Sequence, residues 1–232
     1  MVGRSTVNER TKEFYQQRQE ATNTQNSPDE IRANHVGWNS TESQLHGFEA
    51  ATNLSWINWS EVNSLLDVGC GYGNLSEFSI QKRQYQGTYL GIDIVPEFID
   101  KARKLYDRQS GTRFLVGNFL ELDWNQQKFD LVISLGGLSV NQDYPDPCGL
   151  KSLEYAQKFI ELTARLAIAG ISLYFPNADH IDPANRKPRM AYHQPSEIES
   201  IVRRACGSRC QDITFLSFPS PDNVKTVAQI QL

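Results

Sequence analysis

The stretch Asn63-Ser-Leu-Leu-Asp-Val-Gly-Cys-Gly-Tyr-Gly-Asn-Leu75 limits what this chain can fold into more than any other. Ser64 to Val68 is a short run rich in Leu and Val, the composition of a strand buried on both faces of a parallel sheet, and it breaks at a glycine rather than at a polar turn. Gly69, Gly71 and Gly73 alternate, which strips β-carbons from one side of the loop and lets a ligand lie against backbone. When such a loop opens into a helix, the first backbone N–H groups of that helix face the ligand. Asp67 stands two residues before the first glycine. Counted from Gly69, the dinucleotide fingerprint Gly-x-Gly-x-x-Gly would need a third glycine at position 74, which is Asn.

A second apolar run, Tyr89-Leu-Gly-Ile-Asp93-Ile94, follows at the distance of one helix and a return strand, and it ends in a carboxylate. A carboxylate at the tip of the neighbouring strand can accept both ribose hydroxyls of a nucleoside. With both motifs present in this order, the chain resembles the class I S-adenosylmethionine-dependent methyltransferases over about Ser60 to Leu232. The resemblance implies an α/β fold, a doubly wound, mainly parallel seven-stranded sheet of order 3-2-1-4-5-7-6 with its last strand antiparallel. It implies an S-adenosylmethionine-binding domain over residues 60–232, preceded by a helical cap or lid over residues 1–59. S-adenosyl-L-methionine is the implied cofactor. The glycine loop supplies Asp67, Gly69, Cys70, Gly71 and Gly73 as cofactor contacts, and the second strand tip Asp93 and Ile94. Asn118 and Phe119, after the third strand, fall where relatives hold adenine, although Asn118 stands where an acid is usual. Its amide can still accept from the adenine amine; the other reading of Asn118 is a turn residue. Ser134 and Leu135, at the exit of the fourth strand, complete the set.

Composition sets bounds on the rest. The 232 residues, 39% hydrophobic, suffice for one well-buried domain and not two. A formal net charge of −4 and no basic stripe argue against nucleic acid as a partner. No apolar run reaches membrane-spanning length and no leader-like segment opens the chain, so the expectation is a cytoplasmic protein with no membrane partner. The four cysteines read as structural thiols; Cys206 and Cys210 would make half a metal site, and no metal is expected.

Taken in order, residues 7–22 read as a weakly amphipathic helix, and residues 22–29 as a polar link, either a lid hinge or a plain connector. Ser40 or Thr41 caps a helix with Leu45, Phe48 and Ala51 on one face. Trp38 just before it either shapes the acceptor pocket, as that segment does in relatives, or staples the helix to the core. Helices follow over residues 74–83 and over residues 96–106, the latter with Phe98, Ile99, Ala102 and Leu105 as its buried stripe. A further helix covers residues 149 or 150 to 167 with Leu153 among its apolar positions, and another starts at Pro195. Strands are expected over residues 113–116, 129–134 and 169–175, with a hairpin over 212–218 and 224–232. Asp130 starts its strand at the end away from the ligand and reads as structural.

Methyl transfer from a sulfonium needs geometry more than covalent help, because the leaving thioether is neutral. A base helps where the acceptor's pKa is high. The strand exits offer Asn141, Asp143 and Tyr144 on one side and Asn177, Asp179, His180 and Asp182 on the other. His180 is the candidate base because its pKa lies near neutrality, the alternative being a solvated loop histidine. Trp38, Asn141 and Tyr144 are the substrate-side candidates. After the fourth strand, Ser134-Leu-Gly-Gly replaces the Asn/Asp-Pro-Pro-Tyr/Phe signature of many amino-methylating relatives. The leading expectation is therefore a small-molecule acceptor methylated at oxygen or nitrogen, with a protein side chain second. A nicotinamide-dependent oxidoreductase and a non-catalytic cofactor binder are the readings from other classes.

Overall fold

The computed structural model describes residues 7–20, 27–106, 108–143, 152–220 and 223–232. Its centre is one sheet built from β1 (Ser64–Val68), β2 (Thr88–Asp93), β3 (Thr112–Val116), β4 (Phe129–Ser134), β5 (Ala167–Pro176), β6 (Asp212–Ser220) and β7 (Asn223–Gln231). The order is β3-β2-β1-β4-β5-β7-β6. Neighbours from β3 to β5 are parallel, and β7 runs antiparallel to both β5 and β6. β1 pairs with β2 on one side and β4 on the other, so the chain winds outward in both directions from it. The carboxyl ends of β1 and β4 diverge there into the crevice where such sheets bind ligands.

Strand periodicity divides the core. Leu65, Leu131 and Ile133 join the apolar layer on one face, and Leu66, Val68 and Val132 join the layer on the other. Leu65 and Leu66 are both fully buried, each contributing about 2 kcal/mol of apolar burial. Helices α3 (Thr41–Thr52), α4 (Asn74–Arg83) and α5 (Pro96–Tyr106) pack on the first face; α6 (Ser152–Leu166) and α7 (Pro195–Cys206) pack on the second. α1 (Val7–Glu20) and α2 (Pro28–His35) lie ahead of α3.

The helix starts follow local chemistry. Ser40 accepts from Ser43 N at 3.0 Å and caps α3, and proline begins α5 and α7, where a missing N–H leaves no bond unmade. α2 falls partly in the stretch read as a link, whose residues 21–26 lie outside the described set. Ser27 caps it by accepting from Glu30 N at 3.2 Å, Pro28 opens it, and Asp29 and Glu30 sit in its first turn. The proline of that polar run is thus a helix start rather than a breaker.

Three apolar residues expected on buried faces point outward: Leu45 is 46% exposed, Leu105 40% and Leu153 46%. On α3 Phe48 and Ala51 are buried as expected, with Gln44 and Gly47 beside them in place of Leu45. The helix rotates because Trp38 lies on Gly47, where an added Cβ would stand 2.4 Å from the indole Cη2. Trp38 also meets the rings of Phe48 at 6.1 Å and Tyr174 at 5.4 Å. The staple reading of Trp38 thus has direct contacts behind it. α1 is held over this region by Arg18, which donates to Asn34 O at 2.7 Å and Trp38 O at 2.8 Å.

Asp130 behaves as its position in the strand suggests. Its Oδ2 accepts from Asn63 N at 2.7 Å and Ser64 N at 2.9 Å, fastening the amino end of β1 to β4. Asp130→Ala leaves two backbone donors without their carboxylate, and we expect it to lower unfolding free energy by about 2 kcal/mol. Urea titration measures this; a loss under about 0.5 kcal/mol would show that water replaces the clamp.

Candidate functional site

The loop after β1 is fastened to β2. Gly69 N and Cys70 N donate to Ile92 O at 2.8 and 2.9 Å, and Gly71 N donates to Asp93 Oδ2 at 2.8 Å. Asp93 Oδ1 accepts from Val95 N at 3.0 Å. All three loop glycines have left-handed backbone, with φ of +78°, +55° and +78°, which explains glycine at each. Their open sides differ, however. A Cβ on Gly71 would stand 2.8 Å from Val36 Cγ1, and one on Gly73 2.6 Å from the Phe114 ring. Only at Gly69 are the nearest atoms distant backbone, Gly137 N at 3.6 Å. The loop therefore bares its backbone at Gly69. Gly73, expected among the contacts, is absent from the cleft wall; it precedes α4 in a left-handed conformation and makes room for Phe114.

The cleft above this loop brings together most of the expected cofactor set. Asp67, Gly69, Cys70 and Gly71 line it from the first motif, and Asp93 and Ile94 from the second strand tip. Asn118, Phe119 and Leu135 close it from the next two strand exits. Asn118 lines the cleft, and its amide is also used in the turn, accepting from Leu120 N at 3.0 Å and donating to Glu121 at 2.9 Å. Ser134 does not line the cleft. Its hydroxyl is buried, donating to Val68 O at 2.9 Å and accepting from Gly137 N at 3.2 Å, so it braces β4 against β1.

Two buried acids set the electrostatics. Burial raises the Asp67 carboxyl to about 7, against the opposing hydrogen bond from Tyr89, with the Asp93 charge adding to the rise. Burial likewise raises Asp93 to about 6, and the N–H groups of Val95 and Gly71 hold it down from going further. Desolvation penalises the charged form, so a positively charged ligand in this cleft would restore both carboxylates. The Cys70 thiol is pushed up by burial and by both acids, which keeps it a neutral packing group.

A second cavity adjoins the first. They share Tyr15, Val36, Trp38, Leu135 and Gly136 as a common wall. Phe14 and Tyr174 add further aromatic surface, and Arg18, Lys187, Arg189 and Lys225 line it as well. Trp38 stands in the wall common to both cavities. Asn141 lines neither cavity: it donates to Pro188 O at 2.6 Å and accepts from Asp143 N at 2.8 Å, a staple between loops. Tyr144 lies outside the described residues. His180 ends a short 3-10 turn, is exposed, and lines neither cavity. Sequence reasoning missed Tyr15, Val36 and Lys225; Phe14-Tyr15, the one bulky pair in a polar helix, was the available signal.

Among the described residues, Cys70, Cys206 and Cys210 are free thiols, and no group of three or more His, Cys, Asp or Glu is placed to hold a metal ion. No described helix is long and apolar enough to cross a membrane.

Residues 65–150 match a family model described as a methyltransferase domain. The chain is 29% identical over 89 residues to ribosomal RNA large subunit methyltransferase E of Brachyspira hyodysenteriae, covering 37% of this chain and 41% of that protein. Among solved structures it is similar to the apo form of the S-adenosylmethionine-dependent methyltransferase SibL, with a TM-score of 0.62 at 16% identity. That similarity covers 94% of this chain and 61% of SibL. It is also similar to the N-terminal domain of EvdMO1, solved with S-adenosylhomocysteine and D-fucose. There the TM-score is 0.54 at 15% identity, covering 80% of this chain and 82% of the other. The chain shares the fold of these methyltransferase structures.

The two raised carboxyls make stability pH-dependent. Between about pH 4 and pH 7 the folded chain holds protons that the unfolded chain has released, so this contribution to stability falls as pH rises through that window. Asp67→Asn keeps the shape of the protonated acid and removes its share. From about pH 5 to pH 8 the variant should gain on the parent by about 3 kcal/mol, read by denaturation at each pH. A difference independent of pH would show that Asp67 is ionised in the fold at pH 5.

Proposed function

We propose that this chain is a class I S-adenosylmethionine-dependent methyltransferase that delivers a methyl group to an oxygen or nitrogen of a small molecule seated in the second cavity. The observation that carries this reading is the shared wall: the cleft over the glycine loop and the aromatic cavity meet at Tyr15, Val36, Trp38, Leu135 and Gly136. The chemistry of the first cleft's lining suits the cofactor. In this reading the bare backbone at Gly69 admits the amino-acid end, Asp93 accepts from the ribose hydroxyls, and Asn118 and Phe119 bond and stack with the adenine; the support is that all four line this cleft. Two acids raised toward neutrality suit a ligand that carries positive charge.

When bound, S-adenosylmethionine supplies an electrophilic methyl group on a sulfonium, whose S–C bond breaks to a neutral thioether as the acceptor's new bond forms. The chain's own part is placement. Leu135 and Gly136 set the distance between the two ligands, while Tyr15 and Trp38 close the path to water. In this reading residues 1–59 form the cap and residues 60–232 the catalytic domain, since Tyr15, Val36 and Trp38 all come from the cap. An acceptor proton would leave to solvent or to a group in this wall, and His180 takes no part, being outside both cavities. An RNA acceptor is the second reading, supported by the similarity to the ribosomal RNA enzyme.

The test is direct. S-adenosylhomocysteine should bind in calorimetry and raise the melting temperature, with NAD doing neither; the reverse would make the chain an oxidoreductase. Asp93→Ala should weaken S-adenosylhomocysteine by about ten-fold or more, and an unchanged affinity would remove Asp93 from the ribose site. His180→Ala should leave turnover within about two-fold, whereas a hundred-fold loss would restore it as the base. Radiolabelled methyl should pass to small molecules and not to RNA offered in the same assay.

A further inference from the structure

We propose that the acceptor is a small aromatic carboxylate whose anionic group is held by Lys225 in the floor of the second cavity and Arg189 nearer its mouth. This rests on the methyltransferase reading above and specifies its substrate. Four cationic side chains, Arg18, Lys187, Arg189 and Lys225, line that cavity, and no Asp or Glu is among its described lining residues. The lining charges are all of one sign although the chain's formal net charge is −4, and each of the four cations also keeps an interaction of its own within the chain. A concave site with low-dielectric walls concentrates the field of charges of one sign and draws in the opposite ion.

Lys225 is the unusual member. It is 4% exposed, and lysine is among the residues least often buried. On β7 it shares a face with Val227 and Gln229, the face that α3 covers. Its ammonium lies 5.0 Å from the centroid of the Trp38 ring and 5.5 Å from that of Tyr174, an aromatic seat that stabilises a cation and holds it in place. Tyr174 is two registers away on β5, so strand pairing itself sets this geometry. Lys187 is exposed and Arg189 half-buried, which puts them nearer solvent.

Two further observations shape the ligand. The Ser139 hydroxyl, in the same cavity wall, is buried with no hydrogen-bond partner among the described residues; a carboxylate oxygen would give it an acceptor. The phenols of Tyr15 and Tyr174 are pushed up by burial and remain neutral donors. Phe14, Tyr15, Trp38 and Tyr174 supply ring faces and edges on the remaining sides, which suit a flat apolar body. Cations on one side and rings on the other describe an aromatic acid.

The test uses the full chain saturated with S-adenosylhomocysteine, titrated in a calorimeter with hydroxybenzoates and indole carboxylates and with the carboxamide of each. At least one carboxylate should bind ten-fold or more tightly than its carboxamide, with an affinity that falls as salt is added. Lys225→Met should cancel that preference and leave the S-adenosylhomocysteine affinity within two-fold. Arg189→Gln, in a partly exposed loop, should weaken the carboxylate three-fold or more and decides the matter if the first variant does not fold. No carboxylate preference in any pair, an unchanged preference in a folded Lys225→Met, or tighter binding of phenyl phosphate than of every carboxylate overturns the inference. If S-adenosylhomocysteine itself fails to bind, the methyltransferase reading falls and takes this one with it. If it binds and the carboxylates show no advantage, only this inference falls.

Discussion

The bond from Gly71 N to the Asp93 carboxylate, 2.8 Å long and buried, joins the loop after β1 to the tip of β2. Together with the pair of donors from Gly69 and Cys70 to Ile92 O, it gives the loop one conformation. A charge-assisted bond of this kind contributes about 2 kcal/mol in a buried setting, a large share of a domain's net stability. Its effect on shape matters more. The left-handed turn at Gly69 and Gly71 is held open by these bonds, and the cleft exists because the backbone there cannot collapse onto Leu135 and Gly136 across from it. Val36 then wedges against Gly71, so the cap's position is also referred to this loop.

How much of this was legible in the sequence depends on whether the deciding contact is local. β1, α4 and α5 fall where the sequence places them, because apolar runs, alternate glycines and an N-terminal proline act over a few residues. The sheet order also follows, since two motifs in sequence limit the windings that remain. Burial of individual faces does not. Leu45, Leu105 and Leu153 all sit at helical spacing with their buried neighbours, yet face solvent, because periodicity specifies a stripe about 100° wide and not its centre. On α3 the centre is set by Trp38 lying on Gly47, a contact nine residues apart in a bend the pattern does not describe.

The same argument separates the two halves of the site. The residues expected around a cofactor are written mostly in two contiguous motifs, and all but Gly73 and Ser134, which pack instead, line the first cleft. Both hold their neighbours in place so that others can reach the cleft: Gly73 yields space to Phe114, and Ser134 bridges β1 and the Gly136-Gly137 turn. The acceptor side is assembled from α1, the α2–α3 bend, β5, β7 and the loop near residue 189. Its groups come from short windows far apart in sequence, residues 14–18, 36–39, 135–139 and 187–190, together with the single strand positions Tyr174 and Lys225. It became visible only when β7 inserted between β5 and β6 and brought Lys225 beside Tyr174 and Trp38.

Charge is then divided across the wall that the cavities share. On the loop side stand two acids with pKa values raised to about 6 and 7; on the other side stand four cations. A ligand of positive charge gains by entering the first cleft and loses in the second, and an anion does the opposite. Such a division discriminates by repulsion as well as attraction, so neither ligand competes well for the other's place. Between the two sides lie Leu135 and Gly136, where the chain offers small or apolar surface and no charged group of its own. Low-polarity surface of this kind strengthens whatever electrostatic interaction crosses it, so groups placed on the two sides act on one another across Leu135 and Gly136 more strongly than they would through water.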